Sequence, residues 1–164
     1  MRISKKANQC SLSPMRKFHP FAVDAQKQGK KIYHLNIGQP DIPTPRAYFE
    51  TVSSFDKSTL AYEASPGMPI LIDAIRNYYA KLGVELDAGD IFITTGGSEA
   101  LLFTCLSILD EGSEVIIPEP YYPNYGTFIN AAGGVICPLP TRPDDGYTYA
   151  DRDAFEERIT PNTR

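Results

Sequence analysis

The chain has 164 residues, of which 42% are hydrophobic and 22% are charged, and its formal net charge is −4. This composition excludes a chain too polar to bury a core. The mild negative charge argues against a protein that grips nucleic-acid phosphates or an anionic membrane surface. The length predicts one domain of ordinary size.

The cysteines give information about the compartment and about metal binding. Cys10, Cys105 and Cys137 are far apart in the sequence and lack the spacing of zinc ligands. We therefore expect neither a disulfide framework nor a metal site, and we expect reduced thiols in a cytoplasmic protein. The sequence also lacks an apolar stretch of membrane-spanning length and a secretory signal, so we expect no membrane partner.

The first 45 residues predict an arm, a helix, a short strand and a stiff loop. Ser13-Pro14 is typical of a helix start, and Gly29 is typical of a stop. Apolar residues alternate with polar ones over residues 32–37, which predicts a strand. The prolines of residues 38–45 then fix an extended loop.

The next segment predicts one amphipathic helix. After Gly67, apolar residues recur at intervals of three and four, beginning near Pro69. Proline suits the first turn of a helix, and Gly83 is typical of its end.

Three short runs rich in β-branched residues follow, separated by about twenty residues each. They are residues 91–93, 115–117 and 135–137. Gaps of that length fit crossover helices and exclude hairpins. The first gap is filled by residues 100–109, which are apolar nearly all round and predict a buried helix. The second gap predicts a helix over residues 125–132. The order favours an α/β three-layer sandwich with a mostly parallel sheet.

The last residues predict a helix that leads toward a further strand. Asp151 is a candidate cap for a helix running to Ile159. An α/β chain then re-enters its sheet, and the sequence ends at Arg164. We therefore expect the fold to be incomplete in this chain.

A glycine turn joins a predicted strand to the first crossover helix. Gly96, Gly97 and Ser98 lie where a helix N-terminus presents free N–H groups and partial positive charge. Such a place suits a phosphate monoester, and the Ser98 hydroxyl adds a donor. The alternative is an ordinary strand-to-helix turn with a helix cap.

Three further residues are candidates for ligand contacts. Tyr122 follows the next parallel strand, in an aromatic loop that could stack on a flat ring or pack on its own sheet. Gly38 could offer its backbone N–H to a carboxylate, or could simply belong to a loop. Tyr62, in a loop that enters a helix, could have a packing role.

Four motifs together carry more information than any one of them. They are G-x-P-D-x-P-x-P from Gly38, Y-x-x-x-x-G from Tyr62, T-x-G-G-S-E-A-L from Thr94, and P-x-P-Y-Y-P-x-Y from Pro118. Their order and spacing resemble those of the N-terminal part of the class I/II aminotransferases, the pyridoxal-phosphate enzymes of fold type I. The resemblance covers residues 31–164.

The resemblance implies a role for each matched residue. Gly97 and Ser98 would hold the phosphate of pyridoxal 5′-phosphate, Gly96 would shape the turn, and Tyr122 would stack on the pyridine ring. Tyr62 would reach the cofactor phosphate of the neighbouring subunit, which implies a homodimer. The resemblance also implies that Gly38 would donate its backbone N–H to the substrate carboxylate.

The resemblance further implies domains and an activity. Residues 1–45 would contribute to the small domain, and residues 46–164 would form the first part of the large cofactor-binding domain. The parent enzyme would move an amino group between an amino acid and a 2-oxo acid. The family's Schiff-base lysine would lie beyond Arg164, so we expect these residues alone to be inactive. Where family members usually carry a basic residue, this chain has Ile72.

Two alternatives stay open. One is another fold type I enzyme, such as a C–S lyase or a protein similar to aminocyclopropane-carboxylate synthase. The other is a non-catalytic α/β module that binds phosphate.

Overall fold

The computed structural model describes residues 2–10, 15–148 and 152–164. The chain divides into two compact units, which we describe separately. The sheet unit consists of Met1–Asp24 and Thr94–Arg164, and the helical unit is Ala25–Ile93.

The described residues form two strands and seven α-helices. The strands are β1 (Glu114–Glu119) and β2 (Val135–Pro140). The helices are α1 (Lys5–Gln9), α2 (His19–Lys27), α3 (Arg46–Ser53), α4 (Pro69–Ala80), α5 (Gly97–Ile108), α6 (Pro123–Ala132) and α7 (Arg152–Glu156). None of the helices in these ranges is long and apolar enough to cross a membrane.

The sheet of the first unit is parallel. Glu114 lies opposite Val135, and the pairing continues to Glu119 opposite Pro140. α6 connects the two strands, so β1, α6 and β2 form a crossover unit. Gly133 ends α6 with a φ of +93°, in the left-handed region that glycine adopts without steric penalty.

The core of this unit lies between α5, α6 and the sheet. Leu109, Ile129 and Ala132 form the buried cluster, and partly buried Cys105, Val115 and Ile136 surround it. α6 contributes the buried positions because its apolar residues face both the sheet and the end of α5.

The two edges of the sheet differ. Val135 donates its N–H to the Ser113 carbonyl at 2.7 Å, so alternate residues of β2 direct their backbone groups away from β1. Pro138 is one of these outward residues, and Arg158 Nε donates to its carbonyl at 3.0 Å. On the other side, Thr163 forms a parallel bridge with Glu114 of β1.

The helical unit is organised around α4 and the turn before it. Ile72 is the buried residue of α4, at 7% exposure. Gly67 has a φ of +119°, and a Cβ placed there would lie 2.2 Å from Ile93 Cγ1. Ile93 donates its N–H to the Pro66 carbonyl at 2.8 Å. This close approach of backbone to side chain requires glycine at position 67.

Several elements predicted from the sequence are confirmed. The strands predicted at residues 115–117 and 135–137 lie within β1 and β2, and they are parallel. The three helices predicted after Gly67, at residues 100–109 and at residues 125–132 are α4, α5 and α6.

Two predicted strands are wrong. Within the part of the chain that the structure describes, residues 32–37 and 91–93 are not part of a sheet, although Ile93 donates its N–H to the Pro66 carbonyl. A strand requires a neighbouring strand for its N–H and C=O groups, and the sheet formed by the described residues consists of β1 and β2. Leu35 is accordingly 94% exposed.

The prediction that residues 100–109 form a buried helix is half wrong. The helix forms, but α5 has no buried residue in the described chain, and Leu106 is 55% exposed. An apolar sequence predicts a helix that packs on other elements, and among the described residues α6 is the main packing partner of α5.

Two predicted helix starts lie outside the described residues. They are Ser13-Pro14 and Asp151. The helices that follow are α2, which begins at His19 with Pro20 in its first turn, and α7, which ends at Glu156 before the predicted Ile159. Proline fits the first turn because no N–H is needed there.

Candidate functional site

The centre of the candidate site is the glycine turn, residues 94–98. Gly96 is the N-cap of α5 and has a φ of +85°. Residues other than glycine rarely adopt this backbone conformation. Glycine at position 96 therefore allows the chain to turn sharply from the extended residues 91–93 into the helix.

Three hydrogen bonds fix the shape of the turn. The Gly96 N–H donates to the Thr94 carbonyl at 2.8 Å, and the Thr94 hydroxyl donates to the Gly96 carbonyl at 3.0 Å. The Thr95 N–H donates to Glu99 Oε2 at 2.6 Å. The first two bonds lie within the turn, and the third ties the turn to the first turn of α5.

The N-terminus of α5 presents backbone donors to solvent. The Ala100 N–H donates to the Gly96 carbonyl at 3.3 Å, so the N–H groups of Gly97 and Ser98 come before the first bond of the helix. Both residues are exposed. A Cβ built on Gly97 meets nothing within 4 Å, so the approach to these donors is open. The arrangement suits an anion, because free donors and the helix dipole act together.

An aromatic group stands at the start of the next helix. Tyr122 is the N-cap of α6 and is half-exposed, and Pro123 occupies the first helical position. The Tyr122 and Tyr125 rings are in edge contact, with centroids 5.6 Å apart. Asn124 Nδ2 donates to the Tyr122 hydroxyl at 3.0 Å. These contacts orient the Tyr122 ring and leave part of it accessible.

The remaining predicted site residues belong to the helical unit. Tyr62 is fully exposed, at 105% of its reference area. Gly38 lies in the extended proline-rich loop, and a Cβ built there meets nothing within 4 Å. Gly96, Gly97, Ser98 and Tyr122 therefore share the sheet unit, while Tyr62 and Gly38 lie in the other unit.

Glu99 was not among the predicted site residues. Its signal in the sequence is a glutamate three positions after the N-cap, a position from which a carboxylate reaches back to free N–H groups. The sequence alone did not show that its partner is Thr95.

Outside this turn, the described residues include a thiol whose pKa is raised. Burial raises the pKa of the Cys105 thiol, which lies beside the core cluster. Within residues 2–10, 15–148 and 152–164, no group of three or more histidine, cysteine or carboxylate side chains is assembled that could hold a metal ion.

Comparison with known proteins identifies the family. Residues 30–164 match the family of aminotransferases of class I and II. The chain belongs to this family. The match begins before the first of the four motifs and extends to the last residue, so it includes the glycine turn and the aromatic loop.

Named relatives are similar over most of the chain. A probable aspartate/prephenate aminotransferase of Thermus aquaticus is 32% identical over 87% of the chain. A probable N-acetyl-LL-diaminopimelate aminotransferase of Bacillus subtilis is 32% identical over 99% of it. The chain spans 38% and 40% of the lengths of these two relatives.

Solved structures show the same fold. The aspartate aminotransferase of Rhizobium meliloti superimposes on the whole chain with a TM-score of 0.92 and 26% identity, and 41% of its own length is covered. A double mutant of the Thermus thermophilus aspartate aminotransferase gives a TM-score of 0.87 at 28% identity over the whole chain. The chain therefore has part of the α/β fold with a parallel sheet found in fold type I aminotransferases.

Proposed function

We propose that the whole protein is a pyridoxal-phosphate-dependent aminotransferase that moves an amino group between an amino acid and a 2-oxo acid. The family match over residues 30–164 carries this proposal. The names of the two relatives agree on transfer of an amino group and differ in the substrate, so the proposal names the substrate class.

The residues of the glycine turn fit the phosphate of this cofactor. Gly97 and Ser98 offer exposed N–H groups at a helix N-terminus, and the Ser98 hydroxyl is a third donor. A phosphate dianion needs several donors and positive potential, and the open space beside Gly97 admits it. When bound, the cofactor acts as an electron sink for negative charge at the substrate α-carbon.

The other predicted residues keep supporting roles in this proposal. Tyr122 stacks its accessible ring face on the pyridine ring. Contact with Tyr125 holds the Tyr122 ring in place. Gly38 donates its N–H to the substrate carboxylate from a loop that prolines stiffen. Gly96 gives the turn its shape through its left-handed backbone.

We propose further that the protein is a homodimer in which Tyr62 reaches the neighbouring site. The full exposure of Tyr62 supports this role, because its side chain is available to a second subunit. Exposed apolar residues on α5, such as Phe103 and Leu106, also support association with another surface.

The domain assignment is part of the same proposal. Residues 1–45 contribute to the small domain, and residues 46–164 form the first part of the large domain. None of the lysines here matches the position of the family's catalytic lysine, so we expect turnover from the whole protein and none from these 164 residues alone. The free thiols of all three cysteines support a cytoplasmic location. The proposed role in amino-acid biosynthesis follows from the proposed substrate class.

The experiment is a cofactor titration followed by an assay for amino transfer, on the protein expressed from its whole gene. We expect stoichiometric binding of pyridoxal 5′-phosphate and turnover that depends on both an amino acid and a 2-oxo acid. Turnover without a 2-oxo acid, with cleavage of a carbon–sulfur bond, would assign a lyase. Phosphate binding without turnover would assign a non-catalytic module.

A pair of serine variants on one helix tests the glycine turn. Ser98→Ala removes a donor to a charged group, so we expect cofactor affinity to fall about tenfold. Ser107→Ala is the matched control, because Ser107 lies in the same helix and its hydroxyl donates to the Phe103 carbonyl at 2.7 Å. Equal affinities of the two variants would contradict the assignment of Ser98.

A further inference from the structure

Glu99 stabilises the glycine turn through a hydrogen bond, and none of the predicted site roles includes this residue. Its carboxylate accepts the Thr95 N–H at 2.6 Å, and the side chain is half-buried in the first turn of α5. The other two bonds of the turn join Thr94 and Gly96 to each other. The Glu99 bond is therefore the side-chain tie between the turn and the helix that it opens.

This tie has a consequence for the donors beside it. Gly97 and Ser98 lie between Thr95 and Glu99 in the sequence, so the bond closes a short loop around them. A closed loop restricts the backbone torsions of the residues within it. Restricted torsions keep the two N–H groups pointing in one direction, which lowers the ordering needed when an anion binds.

The same carboxylate also opposes an anion. Its negative charge lies in the first turn of α5, where it interacts favourably with the helix dipole. A phosphate dianion at the Gly97 and Ser98 donors would meet this charge at short range and be repelled. Glu99 thus has two effects of opposite sign on the same site.

We propose that Glu99 is a positioning residue for cofactor phosphate binding, which orders the Gly97 and Ser98 donors through Thr95 while its charge limits the affinity. This proposal rests on the proposed function. It predicts that removal of the charge and removal of the hydrogen bond change the affinity in opposite directions.

Two substitutions at position 99 separate the two effects. Glu99→Gln keeps an acceptor for the Thr95 N–H and removes the charge, so we expect pyridoxal 5′-phosphate to bind roughly two- to fivefold more tightly than to the wild type. Glu99→Ala removes both, so we expect binding roughly fivefold weaker than to Glu99→Gln. The measurement is an equilibrium titration of the whole apoprotein with pyridoxal 5′-phosphate.

Pyridoxal without its phosphate is the second probe. We expect the wild type and Glu99→Gln to bind it equally, because the repulsion requires the phosphate. We also expect the advantage of Glu99→Gln for the phosphorylated cofactor to shrink as salt is raised, since salt screens exposed charges. A purely structural role of Glu99 would lower the thermal stability of Glu99→Ala without separating the two probes.

Glu111→Gln is the matched control. Glu111 follows the opposite end of α5, and its exposed side chain lies 3.7 Å from Lys6 Nζ. We expect this loss of one carboxylate charge to leave both affinities unchanged. Equal binding of pyridoxal 5′-phosphate by Glu99→Gln and Glu99→Ala would overturn the positioning role. A wild type that binds no pyridoxal 5′-phosphate would overturn the proposed function itself, and the positioning role with it.

Discussion

The helices α5 and α6 pack against each other and yet differ in what they bury. α6 buries Gly126, Ile129 and Ala132, whereas α5 buries none of its residues in the described chain. α5 nevertheless has the more apolar sequence, with Leu101, Phe103 and Leu106 all partly exposed. Apolar composition therefore shows that a helix needs a partner surface, and the burial shows how much of that surface is present.

Truncation of one leucine-sized side chain on each helix tests this difference most strongly. Ile129 is 4% exposed and lies in the core cluster, so we expect Ile129→Ala to lower the free energy of unfolding by about 3 kcal/mol. Leu106→Ala should lower it by less than about 1 kcal/mol, because little cavity forms at an exposed position. Urea unfolding of the two variants checks this. Equal losses would mean that α5 is covered in the assembled protein.

Substitution of one glycine beside α6 and one at the start of α5 tests the same difference with a smaller expected effect on stability. A Cβ at Gly134 would lie 2.9 Å from Leu109 Cδ1 and 3.0 Å from Ile129 Cγ2. We expect Gly134→Ala to lower the free energy of unfolding by about 2 kcal/mol, since the core has no room for a methyl group. Gly97→Ala at the start of α5 meets nothing and should stay within about 0.5 kcal/mol. A neutral Gly134→Ala in the same unfolding assay would contradict the tight packing of α6.

The thiol on the inner side of α5 adds a pH-dependent test. Burial raises the pKa of Cys105, so the folded protein holds this proton more tightly than the unfolded chain does. The stabilisation is complete below the ordinary thiol pKa and is lost as pH rises through the raised pKa. We expect Cys105→Ala to lessen the fall in unfolding free energy above pH 9.0, measured by urea unfolding between neutral and alkaline pH. An unchanged slope would show that Cys105 is ionised equally in both states.

The smallest effect concerns the contact of α1 with the region after α5. Lys6 Nζ lies 3.7 Å from Glu111 Oε2, and the side chains are 46% and 82% exposed, respectively. We expect Lys6→Ala to change the free energy of unfolding by less than about 0.5 kcal/mol, and high salt to remove the difference. A loss above about 1 kcal/mol in urea unfolding would show that Lys6 stabilises the protein by more than this ion pair.

The elements that could be predicted from the sequence have local causes. α4 follows from apolar spacing between Pro69 and Gly83, and α6 follows from the stop at Gly133. The two strands that formed are joined through a helix and pair with each other. Residues 32–37 and 91–93 have the same local signals, but a strand also depends on a neighbour, which a local pattern does not include.

The candidate site also has one part that local sequence predicts and one part that it does not. The glycine turn itself was predicted because its glycines join an extended segment to an apolar helix, and Gly96 does adopt a positive φ. Its role in holding a phosphate stays a prediction. The tie from Glu99 to Thr95 was missed, because a glutamate in the first helical turn has several partners within reach and only the backbone geometry selects one.

The outer edge of β2, which faces away from β1, has few backbone groups available for pairing with another strand. Pro138 and Pro140 lack N–H donors, and the Arg158 guanidinium occupies the Pro138 carbonyl, so this edge offers an incoming strand almost nothing to pair with. On the opposite edge, the N–H and carbonyl of Glu114 are bonded to Asn162 and Arg164, next to the bridge with Thr163. The outer edge of β2 is therefore a poor template for a further strand, which lowers the risk that two such sheets pair edge to edge while the protein folds.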